Sequence, residues 1–439
     1  MSIKEADDTT TVSKVLTYLG ITFTFQLLGL ITVLIYSEYF NKSATFAQSF
    51  LFRSSDSSPV APGFHVPQPF GNHFFGDYLW IYSEIKTNGL GGYFGASQLY
   101  LLVATKLPYY FSLIGLFITS LLVLYLAARL LLRELGFNAQ LALLTVGILC
   151  TQPVLLAIDR GQIHLLLFAL LLLGLTLAIK EGGDKTLGAV LIAVAISIKL
   201  TPVFFLLLFV RKAQWKELKV GLISLAGFLL LPIAYLHSGI GAWKYVLGLS
   251  KTNKNLSQIY SSPEYFTGNL AYNSSFKLLA YQFSQMNSGL GNVGNFMFEH
   301  YFLFAGFLSI FFCWLITRKS VTQFESVLLM AIASSLLIPI ASGYTLMVFI
   351  LPIVVVILDA DFIFTRLNII YCCFIGIVLM PKQIAIGFGA FEDFSITLGG
   401  ILNPSLCLLV IVFITGKYFF LAKETSPKIH KFWIRKSNF

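Results

Sequence analysis

The chain has 439 residues and a net charge of +10; 57% of them are hydrophobic and 15% aromatic, while only 11% carry charge. A soluble domain carries about 25% charged residues, so a soluble fold, a coiled coil, a disordered chain, a secreted disulfide scaffold and a soluble nucleic-acid binder are excluded. The mean hydropathy of +0.80 and the repeated helix-length apolar runs identify a polytopic membrane protein.

A span requires about 20 apolar residues. The first run, Val15–Tyr36, is too long for a signal-peptide core and lacks a small-residue cleavage site, so it reads as a retained span. An aromatic, Gly-rich segment poor in charge follows, Ser37–Leu107, and then spans over Tyr109–Leu132, Leu141–Ile158 and Ile163–Ile179. Beyond Ile179 the pattern changes. Leu187–Ile198 and Val203–Val210 are each too short to cross alone, and KLTP (Lys199–Pro202) separates them. Pro202 removes a backbone donor and disfavours helical geometry at Thr201. Broken backbone at membrane depth is tolerated only where it is buried in protein or lines a wet cavity, so this hairpin points at the site. Val220–Leu236 is the next span, then comes a second long segment, His237–Glu299. Tyr301–Ile316, Val321–Ile340, Tyr344–Leu358, Leu367–Met380 and Ile396–Leu421 complete the series before a basic tail over 422–439. The expectation is an all-α polytopic membrane protein, a single domain over residues 1–439, with about 10–12 spans including the broken short-helix pair.

Lys and Arg set the orientation. With the N-terminus inside, the short inner segments hold nineteen of the thirty basic residues, RKAQWKELK and KIHKFWIRK among them. This places both termini in the cytoplasm and segments 37–107 and 237–299 outside, lying along the membrane or over a cavity. The five cysteines all fall in apolar stretches without ligand spacing and are expected to behave as buried small hydrophobes.

Polar groups that converge at the outer face are the candidates for chemistry. Asp77 lies in FGNHFFGDYLWIYSEI, flanked by a glycine and aromatics. Such surroundings raise a carboxyl pKa toward that of a general base, whereas the structural alternative is a cap on a helix starting at Tyr78. Glu84, two helical turns on, is a second carboxylate or a solvated neighbour. In IDRGQIHLLL, Asp159 and Arg160 stand at the mouth of two spans, as an interface ion pair or as part of a site, while Gln162 and His164 open an apolar helix. Lys199 in the broken hairpin either snorkels or meets a phosphate; Arg160 and Lys199 in a water-poor site would stabilise an anionic leaving group. Asn269, Tyr272, Asn273 and Lys277 form a third set in TGNLAYNSSFKLLAYQF. A Gly-rich phosphate loop, HExxH and GxSxG are missing.

The order of GQIHLLLFALLLLGLTLA, IAVAISIKLTPVFFLLLFVRKAQWK, NSSFKLLA and IPIASGYTLMVFILP resembles glycosyltransferase family 87, membrane enzymes of the GT-C class. Its type members are polyprenol-phosphate-mannose-dependent α-mannosyltransferases. The resemblance covers most of residues 70–358. It implies that Asp77 is the first-loop catalytic aspartate, which would deprotonate the acceptor hydroxyl, that Gln162 is the motif glutamine, that Lys199 and Pro202 form the turn, and that Asn273 is the asparagine of the fourth segment. Tyr344 belongs to the late segment and joins the substrate-binding candidates. His164 stands where the family's motif usually has Asn, and IPIASGY lacks the aromatic–acid–His run of the mannoside enzymes.

What the resemblance implies is a GT-C fold with an outward-facing cavity in a plasma or inner membrane. The donor would be a polyprenyl-phosphate hexose, mannose foremost, and the acceptor a lipid or glycan. The donor has no pyrophosphate to bridge, so no metal and no other cofactor is expected; the surrounding partners would be membrane lipids and not nucleic acid. The competing functions are a lipid-linked sugar flippase or secondary transporter, whose marks also include broken helices but usually with internal repeats, and an O-antigen polymerase or ligase, which would call for several outer arginines.

Overall fold

The structure is a computed structural model that describes residues 3–40, 78, 82–83, 100, 103–236, 274–284, 289–339, 341, 343–359, 362–382 and 398–434. All regular structure in these residues is helical. The helices are α1 (Ile3–Phe40), α2 (Tyr109–Leu131), α3 (Gly136–Ala142), α4 (Gln152–Asp159), α5 (His164–Ile179), α6 (Lys185–Ile198), α7 (Leu207–Arg211) and α8 (Trp215–Leu236). They continue with α9 (Phe276–Ser284), α10 (Gly289–Glu299), α11 (Tyr301–Ile316), α12 (Gln323–Leu336), α13 (Ile353–Leu358), α14 (Arg366–Leu379) and α15 (Leu398–Ile434).

Burial sorts these helices into two layers. A helix that is apolar on every side has to be wrapped on every side. The α5 sequence HLLLFALLLLGLTLAI is of that kind and is buried along most of its length, as are α12 and α13. Around them, α1, α2 and α11 bury one face and leave the other open. On α11 the residues Leu303, Phe307 and Ile310 are 66%, 74% and 70% exposed at spacings of four and three, and on α2 Phe111, Ile114, Ile118 and Leu122 form an equivalent stripe. Apolar stripes of this extent belong against lipid. Helices α5 and α6 meet backbone to backbone: a Cβ added to Gly188 would lie 2.8 Å from the carbonyl oxygen of Gly174, so only small residues let the two approach this closely.

Among the described residues, three segments are long and apolar enough to cross a membrane as single helices: Thr11–Ile35, Tyr109–Leu131 and Leu398–Phe419. Two more are bent pairs. The expected straight span Leu141–Ile158 is broken by 76°: α3 runs into a π-helical stretch, Leu143–Leu149, and α4 restarts at Gln152 with Pro153 in its first turn, where a missing N–H is harmless. Tyr301–Ile316 is met at 85° by α10, which lies within the expected outer segment. The break expected at KLTP is present. Helix α6 ends at Ile198, Lys199 is extended (φ −152°, ψ 128°), and a 3-10 turn over Thr201–Leu206 leads into α7. Cys372 and Cys407 are buried, as expected, but Cys313 and Cys373 are only half-buried, and Cys150 is exposed at the 76° bend.

Contacts between distant segments define the two ends of the bundle. Lys14 Nζ donates to the Asp359 carbonyl at 2.9 Å, and Lys180 Nζ to that of Leu130 at 2.6 Å. Arg211 donates to the carbonyls of Ile316, Arg318 and Val321. Glu325, which closes a capping box with Thr322, pairs with Lys417 at 2.8 Å. These contacts gather the segments expected inside at one end. Because α2 and α5 pack along each other and Lys180 at the end of α5 reaches Leu130 at the end of α2, the two run in the same direction, and both begin toward the opposite end.

Candidate active site

The opposite end is built around the turn between α4 and α5. Gln162 N donates to the Ala157 carbonyl at 2.8 Å and Gly161 N to that of Ile158 at 3.1 Å, which terminates α4 in a Schellman turn. Gly161 has φ +64°, a conformation that costs an L side chain about 1–2 kcal/mol. The turn packs Asp159, Gln162 and His164 into the protein, with Arg160 half-buried beside them.

His164 Nδ1 lies 3.1 Å from Gln162 Oε1. An amide oxygen only accepts, so Nδ1–H is the donor, and in the neutral ring Nε2 presents a lone pair. That Nε2 is buried and makes no hydrogen bond among the described residues. The ring packs on Tyr344, centroids 4.8 Å apart and planes at 50°. Tyr344 opens the 3-10 segment Gly343–Ile350, whose first turn faces α4. Lys199 lies within electrostatic reach of His164, held there by the extended backbone between α6 and the Pro202 turn. Three of the sequence candidates from separate parts of the chain, His164, Lys199 and Tyr344, are therefore brought together.

The NSSF segment docks next to them. Ser274 N donates to the Ala341 carbonyl at 2.9 Å and Ser275 Oγ to that of Pro339 at 2.8 Å, lacing the start of α9 to the strand of backbone that leads into Tyr344. Asn403 Nδ2, from α15, donates to Ser274 Oγ at 3.2 Å. Asn273 itself lies outside the described residues, and so do Asp77, Glu84, Asn269 and Tyr272. The neighbours Tyr78 and Tyr82 are described and buried. Tyr78 is hydrogen-bonded to Ser112, Tyr82 donates to the Leu107 carbonyl at 2.7 Å, and both rings pack on Tyr109 with centroids 5.9 and 5.5 Å away.

Three groups at this end are not among the sequence candidates. Asn403 is 1% exposed, and its Oδ1 has no partner among the described residues; a lone amide followed by proline in an apolar run is the signal that marks it. Lys382 places its ammonium against the carbonyls of Ile377, Val378 and Met380, capping α14. Gly161 is the third, marked only by its position at the end of a helical run.

The arrangement is a set of basic, amide and aromatic groups, with the carboxylate of Asp159 among them, in apolar surroundings, suited to an anionic or hydroxyl-rich ligand. The family model of glycosyltransferase family 87 matches residues 96–342, which contain the Asp159–His164 turn, the Lys199 break and the NSSF segment, and stop short of Asp77 on one side and Tyr344 on the other. No curated protein and no solved structure matches the chain. With more than half of its length matched, including the Asp159–His164 turn, the Lys199 break and the NSSF segment, the chain belongs to glycosyltransferase family 87 and is a membrane glycosyltransferase.

Proposed function

We propose that the enzyme moves a hexose, mannose foremost, from a polyprenyl-phosphate donor to a lipid or glycan acceptor at the outer face of a cell membrane, with both of its termini in the cytoplasm. The observation that carries this reading is the electrostatic reach of Lys199 to the buried His164, on the turn that also carries Arg160: basic groups in apolar surroundings suit a phosphate whose carrier is itself a lipid. Arg160 and Lys199 hold the departing polyprenyl phosphate. The free Nε2 of His164 accepts a hydrogen bond from a sugar hydroxyl, Tyr344 and Gln162 fix the ring that offers it, Asp159 adds to the polar lining, and Asn273 is assigned to substrate binding by its place in the NSSF motif.

In the reaction, the acceptor hydroxyl oxygen attacks the anomeric carbon as the bond from that carbon to the phosphate oxygen breaks. The hydroxyl proton passes to the carboxylate of Asp77, and the electron pair leaves with the polyprenyl phosphate. A single displacement of this kind inverts the anomeric centre. A monophosphate leaving group carries no pyrophosphate bridge, so the cationic side chains serve in place of a metal, and Glu84 is the second carboxylate of the same loop.

Asp77→Asn tests the proposal, because it preserves size and most hydrogen bonding while removing basicity. Loss of a general base costs about 10²–10⁴-fold in rate. The purified variant is expected to insert and to bind donor but to transfer almost no sugar; near-normal turnover would remove Asp77 from the mechanism and turn attention to Glu84.

A further inference from the structure

At the end of the bundle remote from His164, α2, α5 and the first turn of α6 enclose a groove of about 440 Å³, lined by Leu126, Leu130, Leu173, Leu177 and Leu187 with Arg129 and Arg133. Its volume falls within the range of about 300–1,000 Å³ usual for ligand pockets. Along α5, Leu177 is 13 residues from His164, about 20 Å at 1.5 Å per residue, so the groove is separate from the site described above.

We propose that this groove holds one bilayer phospholipid with an anionic headgroup. Its lining is divided as such a molecule is divided. Five leucines form an apolar channel, and Leu126 and Leu187 on its walls are themselves exposed, so the channel opens sideways toward the hydrocarbon. The polar end is of a single sign: Arg129 lies in the last turn of α2 and Arg133 just beyond it, where a span meets the headgroup layer. Both side chains are exposed, and neither guanidinium is paired with an acid among the described residues. A groove of this size is too narrow to seat a partner helix, which is about 10 Å across. One acyl chain along the leucines and a phosphate against the two arginines satisfies both halves, and basic pockets between spans recognise anionic lipids in this way.

Native mass spectrometry of the purified full-length protein, titrated with palmitoyl-oleoyl phosphatidylglycerol or phosphatidylcholine, tests the site. The wild type is expected to retain one phosphatidylglycerol in preference to phosphatidylcholine, and Arg129→Gln/Arg133→Gln to weaken that binding by roughly tenfold or more. Leu187→Trp, which fills the channel and spares both arginines, is expected to displace the lipid as well. Lys319→Gln/Arg366→Gln removes the same charge from the same end of the bundle and is expected to leave binding unchanged. Equal retention of phosphatidylcholine by the wild type, undiminished phosphatidylglycerol on the arginine variant, or an equal loss in the Lys319/Arg366 control would each overturn the proposal.

Discussion

Lys199 is the side chain whose two readings differ most in consequence. A lysine that snorkels from a broken helix contributes solubility at the rim, whereas one facing a lipid phosphate contributes a charge-assisted hydrogen bond, worth about 1.5–3 kcal/mol. Its extended backbone and its electrostatic reach to His164 favour the second. Lys199→Gln is therefore expected to lower kcat/KM for the polyprenyl-phosphate donor by about 10- to 100-fold, with the fold intact by circular dichroism, and Lys199→Arg to recover part of the loss. Turnover of Lys199→Gln at the wild-type rate would return the residue to snorkelling. The polar members of this site could be read in the sequence because a charge or amide inside an apolar run stands out against its neighbours. Their mutual placement could not: that His164 would meet Tyr344, 180 positions later, follows from the packing of α4 on the 3-10 segment.

Two helix ends carry the same turn with different residues, and the difference has a measurable cost. Helix α4 closes through Gly161 at φ +64°, and α7 through Ala213 at φ 52°, with Gln214 N donating to Phe209 O at 2.8 Å and Ala213 N to Val210 O at 3.1 Å. Only the first uses the residue to which a positive φ is free. Ala213→Gly is expected to stabilise the protein by about 1 kcal/mol, and Gly161→Ala to destabilise it by about 1–2 kcal/mol. Thermal unfolding in detergent should show shifts of opposite sign; shifts of the same sign would mean that side-chain packing, not backbone strain, governs these turns. Turn chemistry also explains how far the helices themselves could be anticipated. Pro202 announces the break after α6, since it removes a donor that nothing else replaces. The 76° bend falls at Thr151, whose backbone is extended (φ −76°, ψ 140°) between the π-helical stretch and α4, so hydropathy shows one run over Leu141–Ile158 where the chain makes two pieces; α10, which meets α11 at 85° with no proline at the joint, lies in a segment that hydropathy does not read as a helix.

The bundle as a whole has a polarity that the sequence and the structure define by independent means. Counting Lys and Arg leads to the expectation that the segments around Lys14, Arg129, Lys180, Arg211, Arg318 and Lys417 share one side, the cytoplasmic one. The contacts Lys14–Asp359, Lys180–Leu130, Arg211–Arg318 and Glu325–Lys417 join those segments in pairs, and Lys212 lies within electrostatic reach of both Lys185 and Asp359, which brings the pairs to one end of the molecule. The turn that holds Arg160 and His164 is at the other end, so the side of the membrane on which sugar transfer is proposed depends on which end faces in. Single cysteines at Ser57 and Ser261, in a background with the five native cysteines replaced, sample the two long segments, and a cysteine at Ser320 samples the Arg211 end. A membrane-impermeant maleimide is expected to label Ser57→Cys and Ser261→Cys in intact cells and Ser320→Cys only after permeabilisation. The opposite pattern would invert the protein in the bilayer and move the proposed transfer to the cytoplasmic face, while leaving the glycosyltransferase family and the composition of the site as they are.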